Sequence, residues 1–204
     1  MIAIIDYGLG NVKAFINVYK KLNIPLLIAK QAEDLGKATK VILPGVGAFD
    51  YAMQQLEKSG MRAALDEMVL DRHIPVIGVC VGMQMLAGSS EEGKLPGLGW
   101  ITGEVKRFNF THLKNPISVP HMGWNTVKTV KNNGLLQGLE SDARFYFLHS
   151  YYFHTAKTDD IIAVTDYGGE FVCAVNSGNV SGVQFHPEKS HQWGIRLLEN
   201  FAKI

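Results

Sequence analysis

The sequence predicts an α/β fold in which helices cover both faces of a mixed, mostly parallel sheet. Short apolar runs alternate with helix-period segments through the first half of the chain. Glycine or proline follows several of these runs, and the second half contains more strand-like than helical segments. Because strand–helix alternation is typical of parallel sheets with helices on both faces, a three-layer domain is expected.

The first half supplies this alternation. Apolar runs predict strands at residues 2–5, 25–30, 40–43 and 73–80, the third of them ended by Pro44-Gly45. Helical spacing of apolar residues predicts helices at 12–22, 50–70 and 81–90. Asn11 is placed to cap the first of these helices.

The second half is predicted to be antiparallel or mixed. Strand-like segments lie at 99–108, 118–128, 144–153 and 161–188, and a last helix at 191–203 turns Ile195, Leu198 and Phe201 inward. A chain of 204 residues fits a single domain, which we place at 1–204. Ligands of such domains bind at the carboxyl ends of the parallel strands, where Cys80 lies.

The composition limits the classes of function. Apolar residues make up 47% of the chain, charged residues 19%, and the formal net charge is +1. This balance predicts no nucleic-acid or membrane partner, and no apolar run reaches the ~18 residues of a membrane span. The first residues predict no signal peptide. Two cysteines do not form a disulfide framework, so a reducing cytoplasm is expected.

Cys80 stands between Gly78 and Gly82, where an apolar strand is predicted to turn into a helix. A tight strand-to-helix turn strains its central residue and requires small neighbours two positions away, as in the elbow that presents a hydrolase nucleophile. The helix start favours a thiolate, and the Val81 amide is placed to donate to an oxyanion. The alternative is a buried structural cysteine, which is the interpretation for Cys173.

The segment GVQFHPEKS contains a candidate base and its partner. Pro187 pushes His186 into an extended conformation, where residues two apart share a face, so Glu188 is expected beside His186. The alternative is a strand-ending turn with a solvated glutamate. The other histidines have no comparable partner, and no cluster has zinc spacing, so no metal is expected; they are His73, His112, His121, His149, His154 and His191.

The loop LPGVGAF is a third element at the same sheet edge. Pro44 and the glycines Gly45 and Gly47 are expected to end a buried strand and to leave backbone amides free. Such amides bind a carbonyl or carboxylate, or supply a second oxyanion donor. A plain Pro-Gly turn is the alternative.

Three of these segments together resemble the class I, or triad, glutamine amidotransferases: PGVGAF, GVCVGMQML and GVQFHPEKS. The segments DYGLGNV, VPHMGWN and FYFLHSYY resemble one branch of that family, the glutaminase subunits of imidazole glycerol phosphate synthases. The resemblance covers essentially the whole chain. It implies a flavodoxin-like sandwich, no cofactor, and glutamine as the small-molecule substrate.

The resemblance also implies a role for each site residue. Cys80 attacks the side-chain amide of glutamine, His186 moves protons, Glu188 orients His186, and a thioester is hydrolysed to glutamate with release of ammonia. The oxyanion donors would be Val46, Gly47 and Val81. The residues that bind glutamine would be Gly45, Gln84, Glu92, Ser150 and Tyr151.

The partner implied by the resemblance is a cyclase subunit with a (β/α)₈ barrel, in a heterodimer. Its expected contact residues here are Asn11, Trp124, Tyr146 and Lys189. Some relatives of these subunits instead supply ammonia for amidino-sugar synthesis in surface-polysaccharide pathways, and that alternative stays open. A stand-alone cysteine hydrolase or redox protein, and a degenerate module that only docks a partner, are further alternatives. The downstream His-x-Glu with Gln84 disfavours the stand-alone protein, and an intact Cys80 and His-x-Glu disfavour the docking module.

Overall fold

A computed structural model of the chain describes residues 1–111, 114 and 117–204, so His112 lies outside the described residues. The strands are β1 (Ile2–Ile5), β2 (Leu26–Ala29), β3 (Lys40–Gly45), β4 (Val76–Cys80), β5 (Ser89–Ser90), β6 (Glu104–Arg107), β7 (His121–Thr126), β8 (Lys128–Thr129), β9 (Arg144–His149), β10 (Tyr151–His154), β11 (Ile161–Asp166), β12 (Glu170–Ser177) and β13 (Val180–Val183). The helices are α1 (Val12–Lys21), α2 (Phe49–Lys58), α3 (Arg62–Asp66), α4 (Val81–Met85) and α5 (His191–Lys203).

A central sheet of eight strands organises the fold, in the order β2-β1-β3-β4-β13-β12-β11-β8. The first five strands in this order pair in parallel, and the last three add antiparallel pairs. Two small sheets accompany it, β10-β6-β5 and β7-β9. The predicted mixed, mostly parallel sheet with helices, a flavodoxin-like α/β sandwich, is therefore confirmed.

The first helix and the last behave as their sequences predict. The Asn11 side chain accepts a hydrogen bond from the Ala14 amide at 3.2 Å and caps α1. Leu198 and Phe201 of α5 are buried, and Ile195 is half-buried. The helix pairs α1–α5 and α2–α4 pack together.

Two predicted helices differ from the expectation. The segment 50–70 is largely helical but divides, because Gly60 takes a positive φ of 72° after α2, and a new helix starts at Arg62 and continues as a π-helix over Glu67–Asp71. The segment 81–90 ends as a helix at Met85, because residues of a distant loop take its carbonyls. Leu98, Ile101 and Gly99 donate backbone hydrogen bonds to the carbonyls of Met85, Leu86 and Ala87 at 2.7–3.1 Å.

The end of one strand also differs from the prediction. Strand β3 does not end before Pro44-Gly45 but includes both residues, which pair in register with Val79 and Cys80 of β4. Both strands therefore end side by side. Among the described residues, no helix is long and apolar enough to span a membrane, and no group of three His, Cys, Asp or Glu side chains comes together as a metal site.

Candidate active site

Cys80 occupies a strained turn between β4 and α4. Its φ of 56° and ψ of −113° lie in a region that residues with a side chain rarely adopt. The turn depends on its two glycines. A Cβ on Gly78 would stand 2.5 Å from the Gly82 carbonyl oxygen, and one on Gly82 would stand 2.0 Å from that of Leu43. The elbow predicted from Gly78-x-Cys80-x-Gly82 is therefore present.

Gly45 brings the end of β3 against this turn. A Cβ at Gly45 would stand 2.4 Å from the Gly82 nitrogen, so only glycine permits the contact. The next residues form a loop on which Val46 is 38% exposed and Gly47 has a φ of 86°. Within the described residues, the Val46 and Gly47 amides form no hydrogen bond. The free donors expected in this loop are present.

His186 and Glu188 form the pair that the sequence predicts. The His186 Nδ1–H donates to Glu188 Oε1 at 2.9 Å, and the two side chains are 4% and 3% exposed. The second oxygen, Glu188 Oε2, is buried without a partner in the described residues. His186 also interacts with Cys80, so one imidazole lies between a thiol and a carboxylate.

These neighbours decide the charge of the imidazole. Burial disfavours the charged ring, but interactions with Cys80 and Glu188 outweigh it and raise the pKa of His186 from 6.5 to about 10. An imidazolium is thus stable beside the sulfur near neutral pH. That state can neutralise a thiolate and later donate a proton.

A cleft of about 310 Å³ opens over Cys80 and His186. It contains most of the residues expected to handle glutamine and one expected at the interface, namely Val46, Gly47, Val81, Gln84, Glu92, Ser150, Tyr151 and Lys189. Gly45 does not line it but lies beneath, against the turn. Glu92 already accepts from the Phe49 amide at 2.9 Å, and burial raises the pKa of its carboxyl.

The model of the family described as glutamine amidotransferase class-I matches residues 3–204. The chain belongs to the class I glutamine amidotransferase family. It is therefore an enzyme that uses the amide nitrogen of glutamine.

Relatives and solved structures agree with this assignment. The amidotransferase is 57% identical to a Bdellovibrio bacteriovorus protein and 54% identical to one from Leptospira interrogans, each over 100% of both chains. Both are named imidazole glycerol phosphate synthase subunit HisH. A structure titled glutamine amidotransferase has a TM-score of 0.76 at 19% identity, covering 99% of this chain and 97% of its own. The PurLQS structure from Thermotoga maritima gives 0.74 at 15%, covering 99% and 97%. These two likenesses show the fold alone.

The residues expected at a partner interface lie together in part. The Trp124 ring stacks on His191 with centroids 5.3 Å apart and meets Tyr146 edge-on at 6.3 Å. Lys189 Nζ lies 5.7 Å from the centroid of the Tyr146 ring. Asn11 lies at the start of α1, which packs against the turn Pro187–Lys189. His73 and His191 are exposed.

Several buried polar groups of the amidotransferase escaped the sequence interpretation. His121 and His149 have no carboxylate partner comparable to that of His186, as expected, but their rings are hydrogen-bonded to each other at 3.0 Å, which was not expected. Gln184 is fully buried, and its Nε2 lies 3.8 Å from Cys80 Sγ. In the sequence, the only signal for these three residues was a polar residue within an otherwise apolar strand segment. Cys173 is buried and burial raises its pKa, as a core thiol should.

A third buried group, Ser190, ties the catalytic turn to β9. The Tyr146 amide donates to Ser190 Oγ at 3.0 Å, and that hydroxyl donates to the His186 carbonyl at 2.6 Å. The His186 amide donates in return to the Tyr146 carbonyl at 2.9 Å. This closed ring of hydrogen bonds fixes the His186 backbone to the strand that carries Tyr146.

Replacing Glu188 with glutamine should lower the pKa of His186 from about 10 toward its usual 6.5, because the negative partner is lost. In the native chain the folded state holds this proton more tightly than the unfolded state. The stabilising contribution is therefore complete below about pH 6.5 and is lost as the pH rises through about 10.

NMR titration of the His186 ring measures the pKa, and urea unfolding at pH 6 and pH 10.5 measures the stability. The native–variant difference should be larger at pH 6. Glu199→Gln, on α5 at a carboxylate that pairs with Lys203, is the control and should leave the His186 titration unchanged. An unchanged titration in Glu188→Gln would contradict the assigned pair.

Proposed function

We propose that this chain is the glutaminase subunit of an imidazole glycerol phosphate synthase in histidine biosynthesis, with residues 1–204 acting as one domain. One observation carries the proposal. A strained cysteine turn and a buried His186–Glu188 pair share a cleft that also contains the residues expected to bind glutamine. The names of the full-length relatives at 57% and 54% identity support the pathway.

In the first half of the proposed reaction, the Cys80 thiolate attacks the side-chain amide carbon of glutamine. The His186 imidazolium gives its proton to the departing nitrogen, which leaves as ammonia, and a thioester remains on Cys80. In the second half, neutral His186 takes a proton from water as the water attacks the thioester. The proton returns to the Cys80–His186 pair, and glutamate is released.

The negative oxygen of each tetrahedral intermediate needs donors. We assign them to the Val81 amide and to the Val46–Gly47 loop, whose amides are free among the described residues. The amino-acid end of glutamine is assigned to Gln84, Glu92, Ser150 and Tyr151. A carboxylate at Glu92 suits the ammonium, and backbone groups suit the carboxylate.

The proposed partner is a cyclase with a (β/α)₈ barrel that receives the ammonia. Exposed apolar side chains lie in the cleft lining, next to its Pro120 and along the β7–β9 pair that carries Leu148, which is typical of a docking surface. Met122 is 65% exposed and Trp124 is 40% exposed, and the others are Val46, Val119 and Leu148. We assign Asn11, Trp124, Tyr146 and Lys189 to this interface.

Glutamate release tests the proposal. We expect this chain alone to be slow, and to be strongly stimulated when both the histidine-pathway cyclase of the same organism and its ribonucleotide acceptor are added. A folded chain that reacts with a glutamine-like electrophile but is not stimulated would contradict the histidine role. That result would favour a partner from a surface-polysaccharide pathway, because a glutaminase subunit of that pathway would have the same site.

Trp124→Ala should reduce this stimulation by about tenfold or more, since truncating a tryptophan that anchors an interface costs about 2 kcal/mol or more of binding free energy. The unstimulated rate should change little. Leu70→Ala is the matched control, because Leu70 is 50% exposed but lies before the amino end of β4, away from the cleft. Equal stimulation of both variants would show that Trp124 lies outside the interface.

A further inference from the structure

Gln184 is a fully buried amide that reaches the sulfur of Cys80. It follows β13, and its backbone amide donates to the Cys173 carbonyl at 2.8 Å. Its Nε2 lies 3.8 Å from Cys80 Sγ, and its Oε1 lies 3.1 Å from Gln84 Nε2. Cys80 Sγ also lies 4.0 Å from an acceptor, the Leu148 carbonyl oxygen.

A backbone carbonyl fixes which atom of Gln184 faces the sulfur. The Tyr151 carbonyl only accepts hydrogen bonds, so the Gln84 side-chain atom 3.0 Å away must be its nitrogen. The second hydrogen of that nitrogen requires an acceptor on Gln184, which is Oε1 at 3.1 Å. The remaining amide atom of Gln184, the Nε2 donor, is then turned toward Cys80.

The same carbonyl anchors the histidine pair. His149 Nδ1 lies 2.8 Å from the Tyr151 carbonyl, so Nδ1 carries a proton and Nε2 is the acceptor. His121 Nδ1 therefore donates to His149 Nε2 at 3.0 Å. Asn125 Nδ2, held by the Asp166 carbonyl at 2.7 Å, donates in turn to His121 Nε2 at 3.3 Å. The two hydrogens of Asn125 Nδ2 and the Nδ1–H of each histidine then have one acceptor each.

This chain of bonds requires both rings to be neutral, and their surroundings keep them so. Burial lowers the pKa of His121 to about 4 and that of His149 to about 3. Aromatic rings enclose the pair, with Tyr167 stacked on His121 at 4.0 Å and Phe171 5.3 Å from His149. The titratable groups facing the pair are each other, His186 and Tyr167.

We propose that Gln184 is a further catalytic residue, whose side-chain amide donates a hydrogen bond to the Cys80 thiolate. His149 and His121 are positioning residues: His149 holds the Tyr151 carbonyl that Gln84 also contacts, and His121 holds His149. The inference deepens the proposed function and rests on Cys80 being its nucleophile. The Gln184 donor favours the thiolate and so counteracts the Leu148 carbonyl, which as an acceptor favours the protonated thiol. Among the described residues, the titratable groups that interact with the sulfur are His186 and Tyr7, and Tyr7 stays protonated because burial and Cys80 raise its pKa.

Gln184→Glu replaces the donor facing the sulfur while keeping the shape and an acceptor for Gln84. The rate of Cys80 alkylation by iodoacetamide should fall about tenfold at pH 7, the scale of a lost hydrogen bond to a charged group. The pH midpoint of the reaction should move upward. Alkylation needs no glutamine, so it reads the sulfur directly.

Asn179→Asp is the matched control, an amide-to-acid change just before the other end of β13. The Asn179 Nδ2 donates to the carbonyls of Val69 and Ile74, so this variant loses comparable bonds without touching the site. The pH profile of Cys80 alkylation in this variant should match that of the native chain. Buried Cys173 monitors folding in every variant, because its labelling would report an opened core.

Gln184→Met separates the loss of a donor from the gain of a charge, and it should shift the midpoint in the same direction. A shift in Gln184→Glu alone, or native profiles in both variants, would overturn the role of Gln184. An unreactive Cys80 in the native chain would instead overturn the proposed function itself.

The positioning role has its own test. His149→Phe removes the donor to Tyr151 within an aromatic cluster that accepts a ring, and alkylation at pH 7 should slow about threefold, the scale of one neutral hydrogen bond. His149→Asn places a donor nitrogen where Nδ1 stood and should restore the native alkylation rate. Equal slowing in both variants would overturn the positioning role.

Discussion

Cys80→Ala is expected to abolish glutamine hydrolysis, with a loss of about 10⁴-fold or more, while the protein stays folded. Removing a covalent nucleophile eliminates the thioester route, and losses of this size are known when the nucleophile of a catalytic triad is removed. Cys80 lines the cleft, so the volume that alanine leaves empty joins the cleft and does not form a closed cavity in the core. Glutamate release and thermal unfolding measure the two effects.

Cys173→Ala provides the comparison for this variant. It removes the other cysteine, which is buried in β12 and does not line the cleft. Its activity should remain near native, and its stability should fall by about 1–2 kcal/mol because a buried side chain is lost. Substantial glutamate release by Cys80→Ala would rule out the thioester mechanism.

Gly82→Ala is expected to disrupt the fold and the site together, destabilising the chain by about 4 kcal/mol or more. The new methyl group would stand 2.0 Å from the Leu43 carbonyl oxygen and 3.2 Å from the Pro44 carbonyl carbon. Neither backbone atom can move without breaking the parallel pairing of β3 and β4, which places Gly45 beside Cys80. Urea unfolding measures the loss.

Gly36→Ala is the matched glycine substitution. A Cβ there meets nothing within 4 Å, and Gly36 lies in the short helical turn Ala32–Lys37. This variant should unfold at or slightly above the native urea midpoint, because alanine restricts the unfolded chain. Native stability in Gly82→Ala would contradict the assigned contact between β3 and α4.

The elbow and the base were predictable because their causes are local. Two glycines around Cys80 predict a strained turn, and Pro187 predicts the extended backbone that brings His186 to Glu188. The parallel sheet followed from alternation alone. The elbow and the base depend on residues within a few positions of one another, and the alternation is itself a pattern along the chain, so a single sequence contains their causes.

The features that escaped the sequence depend on distant partners. Helix α4 ends at Met85 because residues 98–101 take its last carbonyls. His121 and His149 meet only because β7 pairs with β9 in a register that places them opposite each other. Gln184 reaches Cys80 because β13 lies beside β4 in the sheet. Pattern alone does not determine such register.

Covalent labelling by a glutamine-like diazoketone, with the adduct located by peptide mass spectrometry, decides whether Cys80 is the nucleophile of a glutaminase. We expect one adduct, on Cys80, that glutamine suppresses and that Cys80→Ala lacks. Glu188→Gln should label more slowly, while Cys173 should stay unlabelled in the folded chain. Labelling of Cys173, or of no residue in a folded native chain, would contradict a glutaminase site built on Cys80.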